Sequence, residues 1–148
     1  MIPMIPLKPD IHVVKKGTLY YLATDGNKIQ RFKPWLGDCF SFLYDVIMER
    51  SVFPKKFGAN VQQHYQTLSQ ELADVRRKNI LELGTGSGSA VNFLDHDNRY
   101  TGTDVSPGLL RQAAKRFTKA GFLNPEFYVV SADDLPFANE IYDLCLCI

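Results

Sequence analysis

Residues 80–104 constrain the fold of this chain more than any other segment does. An apolar run over 79–83 leads into a turn with glycines at three alternate positions. A helix is predicted near 87–94, and a second strand over 100–105 carries Asp104 close to its end. A strand, a glycine turn, a helix and a strand that ends in an acid are typical of a βαβ unit that binds a nucleoside.

The residues before this unit predict a hairpin and two helices. β-Branched and aromatic residues predict a hairpin over 11–22 and a short third strand over 28–32. Apolar residues at helical spacing predict helices over 38–50 and 61–77. The second helix is predicted to begin at Asn60 as its N-cap and to end in two arginines and a lysine.

Strands and helices continue to alternate after the βαβ unit. A helix is predicted over 107–121, with Ser106 as its cap, and further strands over 127–130 and 141–148. The last strand is nearly all apolar, as is typical of a parallel strand covered on both faces. This alternation predicts an α/β fold built on a Rossmann-like, mostly parallel sheet.

The residues around the glycine turn favour a positively charged nucleoside ligand over a dinucleotide. The dinucleotide pattern requires a third glycine where this chain has Ser89. Glu82 precedes the turn, and its carboxylate would oppose a pyrophosphate and favour a positive charge. Asp104 could accept hydrogen bonds from ribose hydroxyls, or it could cap the next helix. A nicotinamide-dependent oxidoreductase is therefore the weaker alternative.

Three segments carry a resemblance to a known family. The pattern Glu-x-Gly-x-Gly-x-Gly over 82–88 resembles the first motif of class I S-adenosylmethionine-dependent methyltransferases, and 131–137 and 141–148 resemble the second and third. Residues 106–110 and 134–137 are similar to the small-molecule branch, which includes ubiquinone and menaquinone biosynthesis enzymes. The resemblance implies S-adenosyl-L-methionine as cofactor and an incomplete sheet with strand order 3-2-1-4.

The resemblance also implies a set of cofactor-binding residues. These are Glu82, Gly84, Thr85, Gly86, Gly88, Asp104, Val105, Ala132, Asp133 and Cys147. In the family, the acid at Asp133 accepts from the adenine amino group while the backbone at Ala132 helps to place the ring. No residue can be named as a catalytic base. The three cysteines form no Cys-x-x-Cys pair, so no metal site is expected.

We divide the chain into an arm and hairpin over 1–35, a helical cap over 36–77 and a cofactor-binding half-domain over 78–148. Strand four would leave an apolar edge. The N-terminal hairpin, a second copy of the chain or a missing C-terminal half would cover it. The expected function is methyl transfer to an unidentified, small-molecule acceptor. The alternative is a cofactor-binding or scaffold protein without activity, because the acceptor-binding half is missing.

Charge and hydropathy narrow the range of partners. The net charge of +1 gives no indication of nucleic-acid binding. No apolar run approaches the roughly 20 residues of a membrane span. The first residues are interrupted by prolines and lack the pattern of a signal peptide. We therefore expect a cytoplasmic protein that does not associate with membranes.

Overall fold

The computed structural model describes residues 3–24, 28–33 and 60–148. The strands are β1 (Val13–Lys16), β2 (Leu19–Thr24), β3 (Lys28–Ile29), β4 (Asn79–Leu83), β5 (Arg99–Asp104), β6 (Glu126–Val129) and β7 (Leu144–Leu146). The helices are α1 (Val61–Glu71), the short 3₁₀ helix Ser89–Asn92 and α2 (Pro107–Lys119). The helix predicted over 38–50 lies outside the described residues.

The strands form one sheet in the order β1-β2-β6-β5-β4-β7, and β3 pairs with β2. Four neighbouring strands, β6, β5, β4 and β7, run parallel to one another. In chain order they are the third, second, first and fourth strands of the βαβ region. The predicted order 3-2-1-4 and the Rossmann-like fold class are therefore confirmed.

The N-terminal hairpin adds to this sheet at the edge opposite β7. Strands β1 and β2 are antiparallel, and their turn begins at Gly17, which has a φ of 62°. Strand β2 runs parallel to β6, with Leu19 opposite Phe127. The suggestion that the hairpin covers the strand-four edge was wrong. The apolar residues of β2 extend the core layer of β6 instead, and among the described residues no strand pairs with the outer side of β7.

Several predicted elements are shorter in the structure than the sequence predicts, and the third strand, predicted over 28–32, spans only Lys28–Ile29. The helix predicted over 87–94 is a single 3₁₀ turn, because left-handed glycines precede it and a polar turn follows it. Helix α1 has the predicted Asn60 cap but ends at Glu71, so the basic residues that follow do not close it. The strand predicted over 141–148 pairs with β4 through only three residues.

The core lies on both faces of the sheet. Helix α2 covers one face and packs an aromatic cluster in which the rings of Tyr100 and Phe117 lie 3.9 Å apart. The cap of α2 is as predicted, since the Ser106 side chain accepts a hydrogen bond from the Leu109 amide at 3.2 Å. No helix among the described residues is long and apolar enough to cross a membrane.

The proline-rich arm before β1 packs on the other face of the sheet. Leu7 forms an antiparallel bridge with Phe137 in the segment after β6. The Lys8 amide donates to the Pro136 carbonyl at 2.8 Å, and the Ala138 amide donates to the Pro6 carbonyl at 3.1 Å. The arm therefore holds the segment that follows the third parallel strand.

Candidate functional site

The predicted site residues lie at the carboxyl ends of four neighbouring parallel strands. In the register of the sheet, Leu83 lies opposite Thr103, and Asp104 lies opposite Val129. Glu82 is paired with Leu146 of β7. The segments after β4, β5, β6 and β7 therefore begin at one edge of the sheet. Ligands of open α/β sheets bind in the crevice at this edge.

The three glycines of the turn have different surroundings. Gly84 and Gly86 have φ values of 70° and 55°, and a Cβ added at Gly84 would meet nothing within 4 Å. At Gly86 the nearest atom would be the Gly84 carbonyl oxygen, 3.9 Å away. A Cβ at Gly88 would instead lie 2.8 Å from Cα of Ala113 in α2. Gly84 and Gly86 thus leave open space, whereas Gly88 permits close helix packing.

The Asp104 carboxylate joins the glycine turn to the start of α2. One oxygen accepts from the Gly86 amide at 3.0 Å, and the other accepts from the Ser106 amide at 2.8 Å. Ser106 is the helix cap, so Asp104 fixes the turn just before it rather than capping the helix itself. A carboxylate has about four acceptor positions, so two remain for a ligand.

Glu82 lies beneath the turn rather than at its surface. Its exposed fraction is 2%, and its carboxylate accepts a hydrogen bond from the Tyr100 hydroxyl. That hydroxyl lies 3.2 Å from the Thr85 hydroxyl. Burial raises the pKa of Glu82 to about 7, although the hydrogen bonds from Tyr100 and Thr85 act in the opposite direction. Its direct contact with a cofactor stays a prediction, because the carboxylate faces Tyr100.

The remaining predicted residues are exposed at the same edge. Ala132 and Asp133 lie in a turn after β6, where the Ser131 hydroxyl donates to the Asp133 carboxylate at 3.1 Å. Val105 follows Asp104 and is 40% exposed. Cys147 follows β7 and is also exposed. Their contacts with a cofactor stay predictions.

Two further residues shape the site and were missed by the sequence analysis. Tyr100 fixes the Glu82 carboxylate, and Gly102 makes room for Thr85, whose hydroxyl oxygen would lie 2.6 Å from an added Cβ. The sequence signal for both residues was the alternation of side chains along β5, which places Tyr100 and Gly102 on the same face as Asp104. Within residues 3–24, 28–33 and 60–148, no His, Cys, Asp and Glu cluster could hold a metal ion.

Comparison with known proteins matches residues 80–148 to a family described as a methyltransferase domain. The phthiotriol/phenolphthiotriol dimycocerosates methyltransferase of Mycobacterium leprae is 31% identical over 91 residues, which are 60% of this chain and 32% of that protein. The fatty-acid O-methyltransferase of Mycolicibacterium smegmatis is 33% identical over 90 residues, which are 59% of this chain and 31% of that protein. The chain therefore spans about a third of the length of these curated relatives.

Two solved structures share the fold. An S-adenosylmethionine-dependent methyltransferase from Clostridium acetobutylicum superposes with a TM-score of 0.55 at 16% identity, covering 74% of this chain and 43% of that one. A protein from Methanococcus maripaludis, assigned as an S-adenosyl-L-methionine-dependent methyltransferase, superposes with a TM-score of 0.57 at 14% identity. The superposition covers 81% of this chain and 53% of that one. Residues 80–148 are therefore similar to the methyltransferase domain family, and the chain shares the Rossmann-like fold of these two solved structures.

Proposed function

We propose that this protein binds S-adenosyl-L-methionine at the carboxyl edge of its parallel strands and transfers the methyl group to a small-molecule acceptor. The observation that carries the proposal is the arrangement of Gly86 and Asp104. Their hydrogen bond joins an open glycine turn to a carboxylate that retains free acceptor positions. The methyltransferase domain match over the same residues supports this reading.

The site has the space and the charge that an adenosyl cation requires. Gly84 and Gly86 leave their outer side open, so a ligand could approach the backbone of the turn closely. Asp104 would accept from the ribose hydroxyls and Asp133 from the adenine amino group, while exposed Val105 offers an apolar contact to the ring. The predicted set contains acids but no lysine or arginine, which favours a positively charged donor.

When bound, the cofactor supplies a methyl group that is already activated on a sulfonium sulfur. The tasks left to the chain are to hold the nucleoside, align an acceptor with the methyl group and exclude water. Asp104 and the glycine turn perform the first task. No described residue needs to serve as a general base for an acceptor that is already a carboxylate.

The acceptor is proposed to be a small organic molecule with an apolar body. Two relatives are named for dimycocerosates and fatty acids, which supports this class over a protein or a nucleic acid. We also propose that a further strand, from the same protein or from a second copy, pairs with the outer side of β7. The free, exposed thiols of Cys145 and Cys147 favour a reducing, cytoplasmic location.

Calorimetry with S-adenosylhomocysteine and NAD⁺, titrated separately into the same preparation, tests the cofactor proposal. We expect S-adenosylhomocysteine to bind with a Kd on the order of micromolar and NAD⁺ to give no measurable heat. Asp104→Ala should weaken binding without changing the circular dichroism spectrum. Tight NAD⁺ binding with no response to S-adenosylhomocysteine would overturn the proposal.

A further inference from the structure

We infer that a second cavity, separate from the glycine turn, binds a small amphipathic organic anion. The cavity has a volume of about 380 Å³, within the range of small-molecule pockets. It lies on the α2 face of the sheet between the N-terminal hairpin and the first turns of α2. This inference does not depend on the proposed methyl transfer.

The floor and walls of the cavity are largely apolar. Tyr21 of β2 and Val129 of β6 lie opposite each other in the parallel register and form its floor. Pro107 of α2 forms one wall, and Ile29 and Phe32 after the hairpin form the other. These groups come from three separate parts of the fold. The cavity therefore forms because the hairpin pairs with the edge of the sheet beside α2.

Three cationic side chains line the same cavity. Lys16 comes from β1, Arg31 from the segment after β3 and Arg111 from α2. No Asp or Glu is among its described lining residues. Within the described part of the chain, none of the three cations forms an ion pair. Three positive charges lining a cavity with an apolar floor complement a ligand with an anionic head and an apolar body.

The position of the cavity separates it from the glycine turn, while its floor adjoins Asp104 of the proposed adenosyl site. Val129, on its floor, lies opposite Asp104 in the ladder between β5 and β6. The glycine turn follows β4, on the far side of β5 from the cavity. Adjacent strands are about 4.8 Å apart, so the cavity floor on β6 and the glycine turn after β4 are about two strand spacings apart. A cluster of cations would also repel an adenosyl sulfonium, so the two sites suit ligands of opposite charge.

Calorimetric titration of the full chain with four probes of similar alkyl chain length tests this inference. Octanoate and octyl phosphate carry an anionic head, octanol is neutral and octyltrimethylammonium is cationic. We expect one or both anionic probes to bind at least about fivefold more tightly than octanol, and the cation not to bind. Stronger binding of octanoate would assign a carboxylate ligand, and stronger binding of octyl phosphate would assign a phosphate ligand. Equal binding of octanol and both anions would overturn the inference.

A pair of charge-removing variants locates the binding. Arg111→Gln should weaken the preferred anion at least about fivefold, and Lys16→Gln should weaken it by a similar factor. Lys119→Gln is the matched control, because this lysine lies exposed on the same helix outside the cavity. Thermal unfolding of each variant verifies that it folds. Unchanged affinity in both Arg111→Gln and Lys16→Gln would overturn the inference.

Discussion

The acids on either side of the glycine turn, Glu82 and Asp104, lie in opposite surroundings. Glu82 is 2% exposed and accepts from the Tyr100 hydroxyl beneath the turn. Asp104 is partly exposed at the edge of the sheet and accepts from two backbone amides. Both were predicted to contact the cofactor. The difference teaches that two acids on either side of one glycine turn can have opposite exposure, because Glu82 binds Tyr100 within the core whereas Asp104 lies where its strand ends.

The contrast between buried Glu82 and partly exposed Asp104 should have its largest effect on the pH dependence of the protein's stability. Burial raises the pKa of Glu82 from 4.5 to about 7, so the folded protein retains a proton that the unfolded chain has released. The stabilising contribution should be complete below the unfolded pKa and lost as the pH rises to about 7. The expected loss is about 3 kcal/mol in the free energy of unfolding.

Urea unfolding between pH 5 and pH 8 measures that loss. The neutral isostere Glu82→Gln should remove this part of the pH dependence, whereas Asp133→Asn, an exposed control, should leave it in place. If wild type and Glu82→Gln lose the same free energy over this range, Glu82 does not carry the proton.

The next largest effect is a difference in stability loss when alanine replaces two different glycines of the turn. Gly88→Ala places a Cβ 2.8 Å from the Ala113 backbone, so α2 must shift, and we expect a loss of about 2–3 kcal/mol. Gly84→Ala is the matched control, because it adds only the cost of a left-handed alanine, about 1 kcal/mol. Thermal and urea unfolding give both values. Equal losses would mean that the close packing at Gly88 is unimportant.

Asp104→Ala should show what this partly exposed acid contributes to binding. Removing the carboxylate deletes the acceptors proposed for the ribose and releases the Gly86 amide. We expect S-adenosylhomocysteine affinity to fall about 10- to 100-fold, as for the loss of charge-assisted hydrogen bonds. The same titration with Asp95→Ala, an acid in the turn after the 3₁₀ helix, should show no change. Unaltered affinity in Asp104→Ala would exclude the ribose role.

The smallest expected effect concerns the N-terminal arm. Lys8→Pro removes the amide that donates to Pro136, so the segment carrying Ala132 and Asp133 should be held less firmly. We expect S-adenosylhomocysteine affinity to fall about threefold, consistent with one hydrogen bond of about 0.5–1 kcal/mol. Lys8→Ala keeps the amide and is the control. If Lys8→Pro and Lys8→Ala bind S-adenosylhomocysteine equally well, the arm does not support the segment that carries Ala132 and Asp133.

Local patterns in the sequence were sufficient for much of the fold. The strand over 79–83, the Ser106 cap and the helix that ends before Gly121 were predicted because each depends on neighbouring residues. The order of the parallel strands followed from the resemblance. Element lengths were less predictable, because the end of α1 and the shortness of β7 depend on tertiary packing rather than on the pattern of apolar residues.

Long-range contacts account for what the sequence did not predict. The pairing of β2 with β6 joins residues more than a hundred positions apart, and no local signal specifies it. The orientation of the Glu82 carboxylate depends on Tyr100 in the neighbouring strand, so it could not be predicted from Glu82 and its sequence neighbours. The cavity between the hairpin and α2 exists only because that pairing forms. The cavity is lined by Lys16, Arg31 and Arg111, which are far apart in the sequence, so no local pattern predicts that they lie together.

The attachment of the arm and hairpin to β6 has a consequence for synthesis of the protein. Met4 donates to Glu126, a residue 122 positions later, so this contact cannot form until β6 has left the ribosome. At 5–20 residues per second, the first segment waits roughly 6–24 seconds for its partner. During that interval its apolar strand edge is accessible to chaperones and to other nascent chains.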